Sequence, residues 1–400
     1  QAEKARRSLQ QSGMRAPALL IGSELPLADG PRLVALARNR QGYGDLSACI
    51  TQARNRREKG DFHVTAEDVE RFSRDWIVLL LPADPRNPHD WHASVETHLQ
   101  IPQLGMWRER LGDRLYLGLR RWLGPADRMV TEAWQAIADR TNVRTVAVNS
   151  VEMHIPSRQP LHDVLTGIRH GCTIEQAGYR LLPNAEAYLK SPEQMARVFW
   201  DRPELVARTV EVAQRCQFSL NDLRFIYPAA DVPSGVSPAT HLRALTEAGA
   251  CQRYPGGVPD RVRRMLEHEY AIISELHYET YFLTIHDVVR FAESRGILCQ
   301  GRGSAANSAV CYCLGLTEVD PAVSELLFER FISRERNEPP DIDIDFEHER
   351  REEVLQYIYE KYGRTHAAMV CEVVRFRRRL AMREVARVMG LSSDQVGRLA

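Results

Sequence analysis

The segment 341–346 constrains the fold and the chemistry of this chain more than any other. It reads Asp-Ile-Asp-Ile-Asp-Phe, so acidic and apolar residues alternate with a period of two. In a β-strand this pattern places Asp341, Asp343 and Asp345 on one face and the apolar residues in a core. Three adjacent carboxylates repel one another unless a divalent cation lies between them. The segment therefore predicts a strand that binds one or two hard cations.

Two other interpretations of this segment are open. A solvated edge strand is one, although strands are normally depleted in aspartate. A calcium loop of the D-x-D-x-D-G type is the other, but it needs glycine at the sixth position, where this chain has Phe346.

A glycine-rich segment, Gly301-Arg302-Gly303-Ser304-Ala305-Ala306, follows a predicted strand at 297–300 and opens a predicted helix that runs to about 314. The glycines let the backbone approach an oxyanion, and Ser304 is a candidate helix cap. The helix dipole and the Arg302 guanidinium both favour a phosphate. A plain turn between strand and helix is the structural alternative.

The same glycines satisfy the G-x-G-x-x-A pattern of a dinucleotide-binding fold, which requires an acid at the end of a second strand about 20 residues on. Asp320 has this spacing, but the sequence Thr-Glu-Val-Asp-Pro around it is typical of a turn. A Walker loop is excluded because no Gly-Lys-Ser/Thr follows.

Three arginines, Arg330, Arg334 and Arg336, lie between the glycine segment and the acidic segment. Such a run is usually a solvated face, but beside a phosphate-binding turn it can equally clamp a polyphosphate. Together, the turn, the arginines and the paired acids predict metal-assisted phosphoryl or nucleotidyl transfer.

The rest of the chain alternates short apolar runs with helical patterns up to about residue 150, which predicts a parallel α/β sheet or barrel. Helical spacing follows at 183–217 and 257–296, and the Pro/Gly/Ser-rich stretch 227–237 predicts a domain boundary. The predicted strands of the first part are 18–21, 33–37, 76–81, 114–119 and 143–148, with helices at 43–57 and 126–139.

The composition excludes several classes of protein. The 53 basic and 53 acidic residues balance, which excludes a uniformly basic nucleic-acid coat but not a local basic groove. The longest apolar run, 76–81, is too short to cross a bilayer, and the eight cysteines are too few for a disulfide scaffold. We expect a cytoplasmic protein without a membrane partner.

The motifs GRGSAANS, TEVDP, LLFERFISRER and PPDIDIDF, in this order, closely resemble those of the C-family bacterial DNA polymerases, the DNA polymerase III alpha subunit family. The segments 158–173 and 189–199 resemble the error-prone, damage-inducible branch of that family. The resemblance spans essentially the whole chain and is most specific from 297 to 390. It implies three domains: a PHP-like distorted β/α barrel at 1–222, a polymerase-beta-like nucleotidyltransferase palm at 223–372, and the start of a helical thumb at 373–400.

The resemblance also implies roles for individual residues. Asp341 and Asp343 match the catalytic aspartates that hold two Mg²⁺ ions, for which Mn²⁺ is a possible substitute, and Asp345 matches an acid with no settled role. Glu24 matches a metal-ligand position of the PHP domain. The expected triphosphate-binding residues of the incoming dNTP are Arg302, Gly303, Ser304, Arg330 and Arg336. The expected DNA-binding residues are Arg375, Arg377, Arg378 and Arg379.

Two departures from the family pattern limit these expectations. The opening histidine motif of the PHP domain would precede Gln1, and Asn149-Ser150-Val151-Glu152 stands where the family often has Asn-Asp-x-His. We therefore expect a scaffold domain without hydrolase activity. The family's third catalytic aspartate would lie beyond Ala400, so we expect a fragment that lacks both ends and does not polymerise alone.

The leading hypothesis is DNA-templated DNA polymerisation, in error-prone translesion synthesis during DNA damage tolerance. Its partners would be primer–template DNA, dNTPs and, through parts outside this sequence, a sliding clamp and accessory repair proteins. The alternatives are a PHP-type metal-dependent phosphoesterase or exonuclease and a non-catalytic DNA-binding adaptor.

Overall fold

The computed structural model describes residues 2–28, 31–58, 61–82, 101–223, 228–324, 327–332, 340–370 and 374–399. The chain divides into two compact units, which we call unit 1 (residues 1–223 with 373–400) and unit 2 (residues 224–372). Both units combine helices with strands, so the predicted mixed α/β class is confirmed. No helix in the described ranges has the length and apolar composition that a membrane span requires.

The described strands are β1 Gly22–Pro26, β2 Arg32–Ala37, β3 Trp76–Leu81, β4 Leu115–Arg120, β5 Arg144–Val148, β6 Cys299–Arg302 and β7 Asp343–Phe346. The described α-helices are α1 Ala2–Gln11, α2 Arg40–Asn55, α3 Ala66–Phe72, α4 Ile101–Leu111, α5 Asp127–Thr141, α6 Gln159–His170, α7 Ile174–Ala177, α8 Pro192–Val198, α9 Pro203–Gln214, α10 Pro238–Arg253, α11 Asp260–Glu275, α12 Glu279–Ser294, α13 Ala309–Cys313, α14 Arg351–Tyr362, α15 Arg378–Val388 and α16 Ser393–Leu399. The described 3₁₀ helices are Ser73–Asp75, Gly112–Arg114, Pro156–Arg158, Gly178–Arg180, Leu220–Asp222, Gly303–Asn307, Phe328–Arg330 and His348–Arg350.

Unit 1 is built on a sheet in which β1 to β5 lie in sequence order. The pairs β3–β4 and β4–β5 are parallel, as predicted, but β1–β2 and β2–β3 are antiparallel, so the prediction of a parallel sheet is wrong for this half. The link between β1 and β2 is too short for the crossover that parallel strands need. The barrel expected from the resemblance is not confirmed, because the five described strands form an open sheet.

The prediction of strands succeeds where burial is complete and is wrong at the first strand. β3 has the predicted bounds, and all six of its residues are buried. The first strand is Gly22–Pro26 and not 18–21. Pairing with β2 fixes this position, because Gly22 lies opposite Leu36 and Pro26 lies opposite Arg32. Just before the strand, the Ile21 carbonyl oxygen accepts a hydrogen bond from the Ala37 amide at 2.9 Å.

The C-terminal helices belong to unit 1. α15 packs against α6 so closely that a Cβ atom on Gly167 would lie 2.6 Å from the Val388 side chain. Glycine at 167 is therefore what allows the two helices to approach each other.

Unit 2 has a core formed by α10 to α13 and by the aromatic rings of Phe282, Phe328 and Phe331, which meet edge to face. The helical pattern at 257–296 is confirmed as α11 and α12. The helix predicted to run from the glycine segment to about 314 divides instead into the 3₁₀ helix Gly303–Asn307 and α13. This core supports the pair β6–β7, since Cys299 and Ile344 pack against it.

Candidate functional site

The acidic segment and the glycine segment lie side by side as the antiparallel strands β7 and β6. In this register Arg302 lies opposite Asp343, and Gln300 lies opposite Asp345. Directly paired residues project to the same face of a sheet. The pairing therefore places the Arg302 guanidinium and the aspartate carboxylates on one surface.

The alternation predicted for the acidic segment is present. Asp341, Asp343 and Asp345 are exposed, whereas Ile342 is only 9% exposed and lies in the core of unit 2. The strand begins at Asp343 instead of Asp341. The preceding residue, Ile342, donates its amide hydrogen to the Tyr281 hydroxyl oxygen at 3.2 Å, so α12 fixes the chain where it enters the strand.

The glycine segment 301–306 forms a turn, which we call the glycine turn, and the geometry of this turn requires both of its glycines. A Cβ atom on Gly301 would lie 2.0 Å from the Leu316 carbonyl oxygen, to which the Gly301 amide donates at 2.7 Å. Gly303 has a φ of +70°, and a Cβ atom there would lie 3.3 Å from an Asp343 carboxylate oxygen. L-residues with a side chain rarely adopt this backbone conformation.

Ser304 joins the turn to the acidic segment. Its hydroxyl donates to the Asp341 carbonyl oxygen at 2.9 Å. The expectation that Ser304 caps the following helix is wrong, because Ser308 has that position and accepts from the Cys311 amide at 3.0 Å. The 3₁₀ segment delays the start of the α-helix, and this shifts the cap toward the C-terminus.

Arg302 and Asp345 form an exposed ion pair, with Nε and Oδ2 2.7 Å apart. The hydrogen bond from the guanidinium to the Asp345 carboxylate raises the pKa of Arg302. Because Asp345 is paired in this way, Asp341 and Asp343 are the two carboxylates of the row available to a cation.

The donor set of the site fits a magnesium ion bound together with a phosphate. Carboxylate oxygens are hard ligands, and Mg²⁺ is usually held by one or two carboxylates together with substrate phosphates. In the described part of the chain, no group of three or more His, Cys, Asp or Glu side chains is placed to hold a metal by itself. Asp341 and Asp343 would therefore need oxygen ligands from a substrate.

A buried carboxylate that the sequence analysis missed lies behind the turn. Glu269, on α11, is 1% exposed and accepts hydrogen bonds from the Ser308 hydroxyl at 2.7 Å and from the Ala309 and Val310 amides at 2.7 and 3.0 Å. Burial raises its pKa to about 7 against the lowering effect of these bonds. A glutamate within a helical pattern carries no sequence signal for this role.

The arginines between the two segments are only partly described. Arg330 is exposed and closes the 3₁₀ helix Phe328–Arg330. The amide of Leu327, just before this helix, donates to the Asn307 side chain at 3.5 Å, which links the helix to the glycine turn. Arg334 and Arg336 lie outside the described residues.

Asp320 does not have the position that a dinucleotide fold requires. Its carboxylate accepts from the Ala322 amide at 2.8 Å and from the Tyr254 hydroxyl, and so it closes the turn after α13. The turn lies later than predicted, at 321–324, where the Val323 and Ser324 amides donate to the Asp320 carbonyl oxygen at 3.3 and 3.0 Å; residues 317–320 before it have no regular structure.

Glu24 lies within β1, whereas the predicted strand 18–21 would have placed it just after a strand. Its carboxylate pairs with the Arg32 guanidinium at 2.6 Å, in a pocket also lined by Ser150, Glu152 and His162. A cationic side chain already neutralises Glu24, so these residues do not favour a metal ion there.

The candidate DNA-binding arginines lie in unit 1. Arg375 and Arg377 precede α15, and Arg378 and Arg379 begin it; all four are exposed. Among the described residues none of them forms an ion pair with an acidic side chain. Their side chains are therefore accessible to solvent.

Comparison with known proteins supports the resemblance. The family model "Bacterial DNA polymerase III alpha NTPase domain" matches residues 240–400. Error-prone DNA polymerases are similar over nearly the whole chain: that of Methylococcus capsulatus is 50% identical over 96% of this chain and 35% of its own length. The error-prone DNA polymerase of Dechloromonas aromatica is 47% identical over 95% of this chain and 36% of its own length. That of Teredinibacter turnerae is 42% identical over 100% of this chain and 37% of its own length.

The chain thus spans about a third of the length of these relatives. The matched region contains the glycine turn and the acidic strand, whose motifs carried the resemblance. The chain is therefore similar to error-prone DNA polymerases over nearly its whole length, and its residues 240–400 match the model of the bacterial DNA polymerase III alpha family.

Proposed function

We propose that this chain supplies the nucleotide-binding and metal-binding parts of a DNA-templated DNA polymerase that performs error-prone translesion synthesis. The observation that carries the proposal is the pairing of β6 with β7, which places the glycine turn against Asp341 and Asp343. A phosphate-binding turn beside two hard carboxylates is the arrangement that phosphoryl-transfer chemistry requires. The named relatives are error-prone DNA polymerases.

Each residue of the site has a distinct task in this proposal. Asp341 and Asp343 would hold Mg²⁺, which would activate the primer 3′-hydroxyl and neutralise charge on the triphosphate. Gly303 leaves room for the triphosphate to approach the backbone, because it has no Cβ atom in the space beside Asp343. Ser304 holds the turn to the acidic segment. Arg330 is exposed and would contact phosphate oxygens, and Arg302, which pairs with Asp345 through Nε, would do so through its other N–H groups. Arg336 would act in the same way.

The finer domain assignments form part of this proposal. Residues 1–222 would be a PHP-like scaffold, 223–372 the palm and 373–400 the start of the thumb. The ion pair of Glu24 with Arg32 supports a scaffold role over a hydrolytic one. Arg375, Arg377, Arg378 and Arg379 would contact phosphates of the primer–template duplex, since such contacts bind DNA without reading its sequence. A sliding clamp, accessory repair proteins and a cytoplasmic location remain predictions.

Primer extension by the full-length gene product tests the function. We expect Asp343→Asn to lower incorporation of a dNTP by about a thousandfold or more while leaving affinity for primer–template unchanged. Asp345→Asn, on the same face of the same strand, is the comparison: it removes only the partner of Arg302 and should lower incorporation far less than Asp343→Asn does. Undiminished incorporation by Asp343→Asn would refute the assignment. Metal-dependent release of 3′-nucleotides that survives this substitution would favour the phosphoesterase alternative.

A further inference from the structure

The glycine turn is held at both ends by the short helix α13 and the residues after it. On the N-terminal side, the Gly301 amide donates to the Leu316 carbonyl oxygen at 2.7 Å. Leu316 is itself fixed to α13, because its amide donates to the Cys311 carbonyl oxygen at 2.8 Å. On the C-terminal side, the turn runs directly into Ser308, the cap of α13. The position of α13 therefore determines the shape of the turn.

The position of α13 is itself fixed by two longer helices, α10 and α11. At its C-terminal end, α10 approaches so closely that a Cβ atom on Gly249 would lie 1.8 Å from the Cys313 carbonyl oxygen. At its N-terminal end, Glu269 of α11 receives the Ser308 hydroxyl and the amides of Ala309 and Val310. The first contact is steric, and the second depends on one buried carboxylate.

A buried carboxylate such as that of Glu269 is unusual in a contact that is purely structural. An ionised carboxylate that is 1% exposed is costly to bury, and an apolar core residue would avoid that cost. Its three hydrogen bonds are directional, and they all end on the three residues that follow the turn. Hydrogen bonds of this kind constrain the orientation of the start of α13 more than apolar packing would.

We propose that Glu269 is a positioning residue for the incoming nucleotide. By fixing Ser308 and the start of α13, its carboxylate holds Gly303 and Ser304 in the conformation that receives the triphosphate. This inference rests on the proposed polymerase function and adds to it a residue that touches neither nucleotide nor metal. Loss of the Glu269 carboxylate would loosen the turn. We therefore expect it to weaken dNTP binding more than it slows the chemical step.

Steady-state and single-turnover incorporation by the full-length gene product test this role. We expect Glu269→Gln to raise the KM for dNTP by about threefold to tenfold, with kcat and the Kd for primer–template within about twofold of wild type. Ser308→Ala should raise KM by a smaller factor. The double variant should be no worse than Glu269→Gln alone, because both substitutions break one network.

Asp68→Asn is the matched control, since Asp68 is also a buried carboxylate, 3% exposed, and it caps α3 in unit 1. It should lower the melting temperature without changing the KM for dNTP. A wild-type KM in both Glu269→Gln and Ser308→Ala, with only a lower melting temperature, would show that Glu269 is merely structural. This outcome is distinct from failure of the proposed function, which requires Asp343→Asn to remain active.

Discussion

The hydroxyl of Ser304 donates a hydrogen bond of 2.9 Å to the backbone carbonyl oxygen of Asp341, which lies 37 residues further along the chain. This bond joins the glycine turn to the first aspartate of the acidic segment through the backbone. It leaves the carboxylate of Asp341 exposed for other ligands. The turn and the carboxylates proposed to bind metal are thus held together before any substrate binds.

Ser304→Ala removes this bond. We expect the KM for dNTP of the full-length gene product to rise several-fold, because the turn loses its direct tie to Asp341, whereas the free energy of unfolding should fall by only about 1 kcal/mol. Ser294→Ala is the matched control, since the Ser294 hydroxyl also donates to a backbone carbonyl oxygen, that of Phe291 at 2.7 Å. Equal effects of the two substitutions on KM would contradict the account.

Gly303→Ala tests the space beside Asp343. The positive φ of +70° should cost about 1–2 kcal/mol of stability, and the new methyl group, 3.3 Å from the Asp343 carboxylate, should displace that carboxylate and weaken dNTP binding. Gly296→Ala provides the comparison, because Gly296 has a φ of +66° and open space around a Cβ atom. Both variants should lose stability, but only the first should show a higher KM.

Glu269 predicts a pH dependence of stability. Its pKa is raised from 4.5 to about 7 in the folded protein, so the folded state holds this proton more tightly than the unfolded state. The resulting stability is present below the unfolded pKa and is lost as the pH rises through about 7. Relative to Glu269→Gln, the wild type should lose about 3 kcal/mol across this window.

Hydrogen exchange of the amides in α11 and α13 measures this difference, because it reports the stability of unit 2 separately. Other titrating groups are present in both proteins, so their contributions cancel in the comparison. Parallel pH profiles for wild type and Glu269→Gln would show that the carboxyl group does not titrate in this range.

Sequence reasoning succeeded where a local pattern decides the structure. The alternation of 341–346 fixes which side chains reach the core, and Ile342 is buried while its acidic neighbours are exposed. The continuous apolar run of β3 matches its burial on both faces. The prediction that the acidic segment lies close to the glycine segment also depended on the family motifs. No local sequence pattern indicates which two strands pair.

The features that were predicted wrongly or missed all depend on contacts between segments that are distant in the sequence. The first strand moved from 18–21 to Gly22–Pro26 because β2 determines its register. Ser304 lost the capping role to Ser308 because a 3₁₀ segment comes between them. Glu269 was missed because its partners lie on another helix about 40 residues away, and helical periodicity is silent about such partners.

Binding of dNTP to the 400-residue chain in the presence and absence of Mn²⁺ tests the central claim most directly. We predict calorimetric binding that requires the metal, weakens at least tenfold in Asp343→Asn and weakens also in Ser304→Ala, because both segments form one site. Binding that is unchanged without metal, or equally tight in Asp343→Asn and wild type, would contradict the claim.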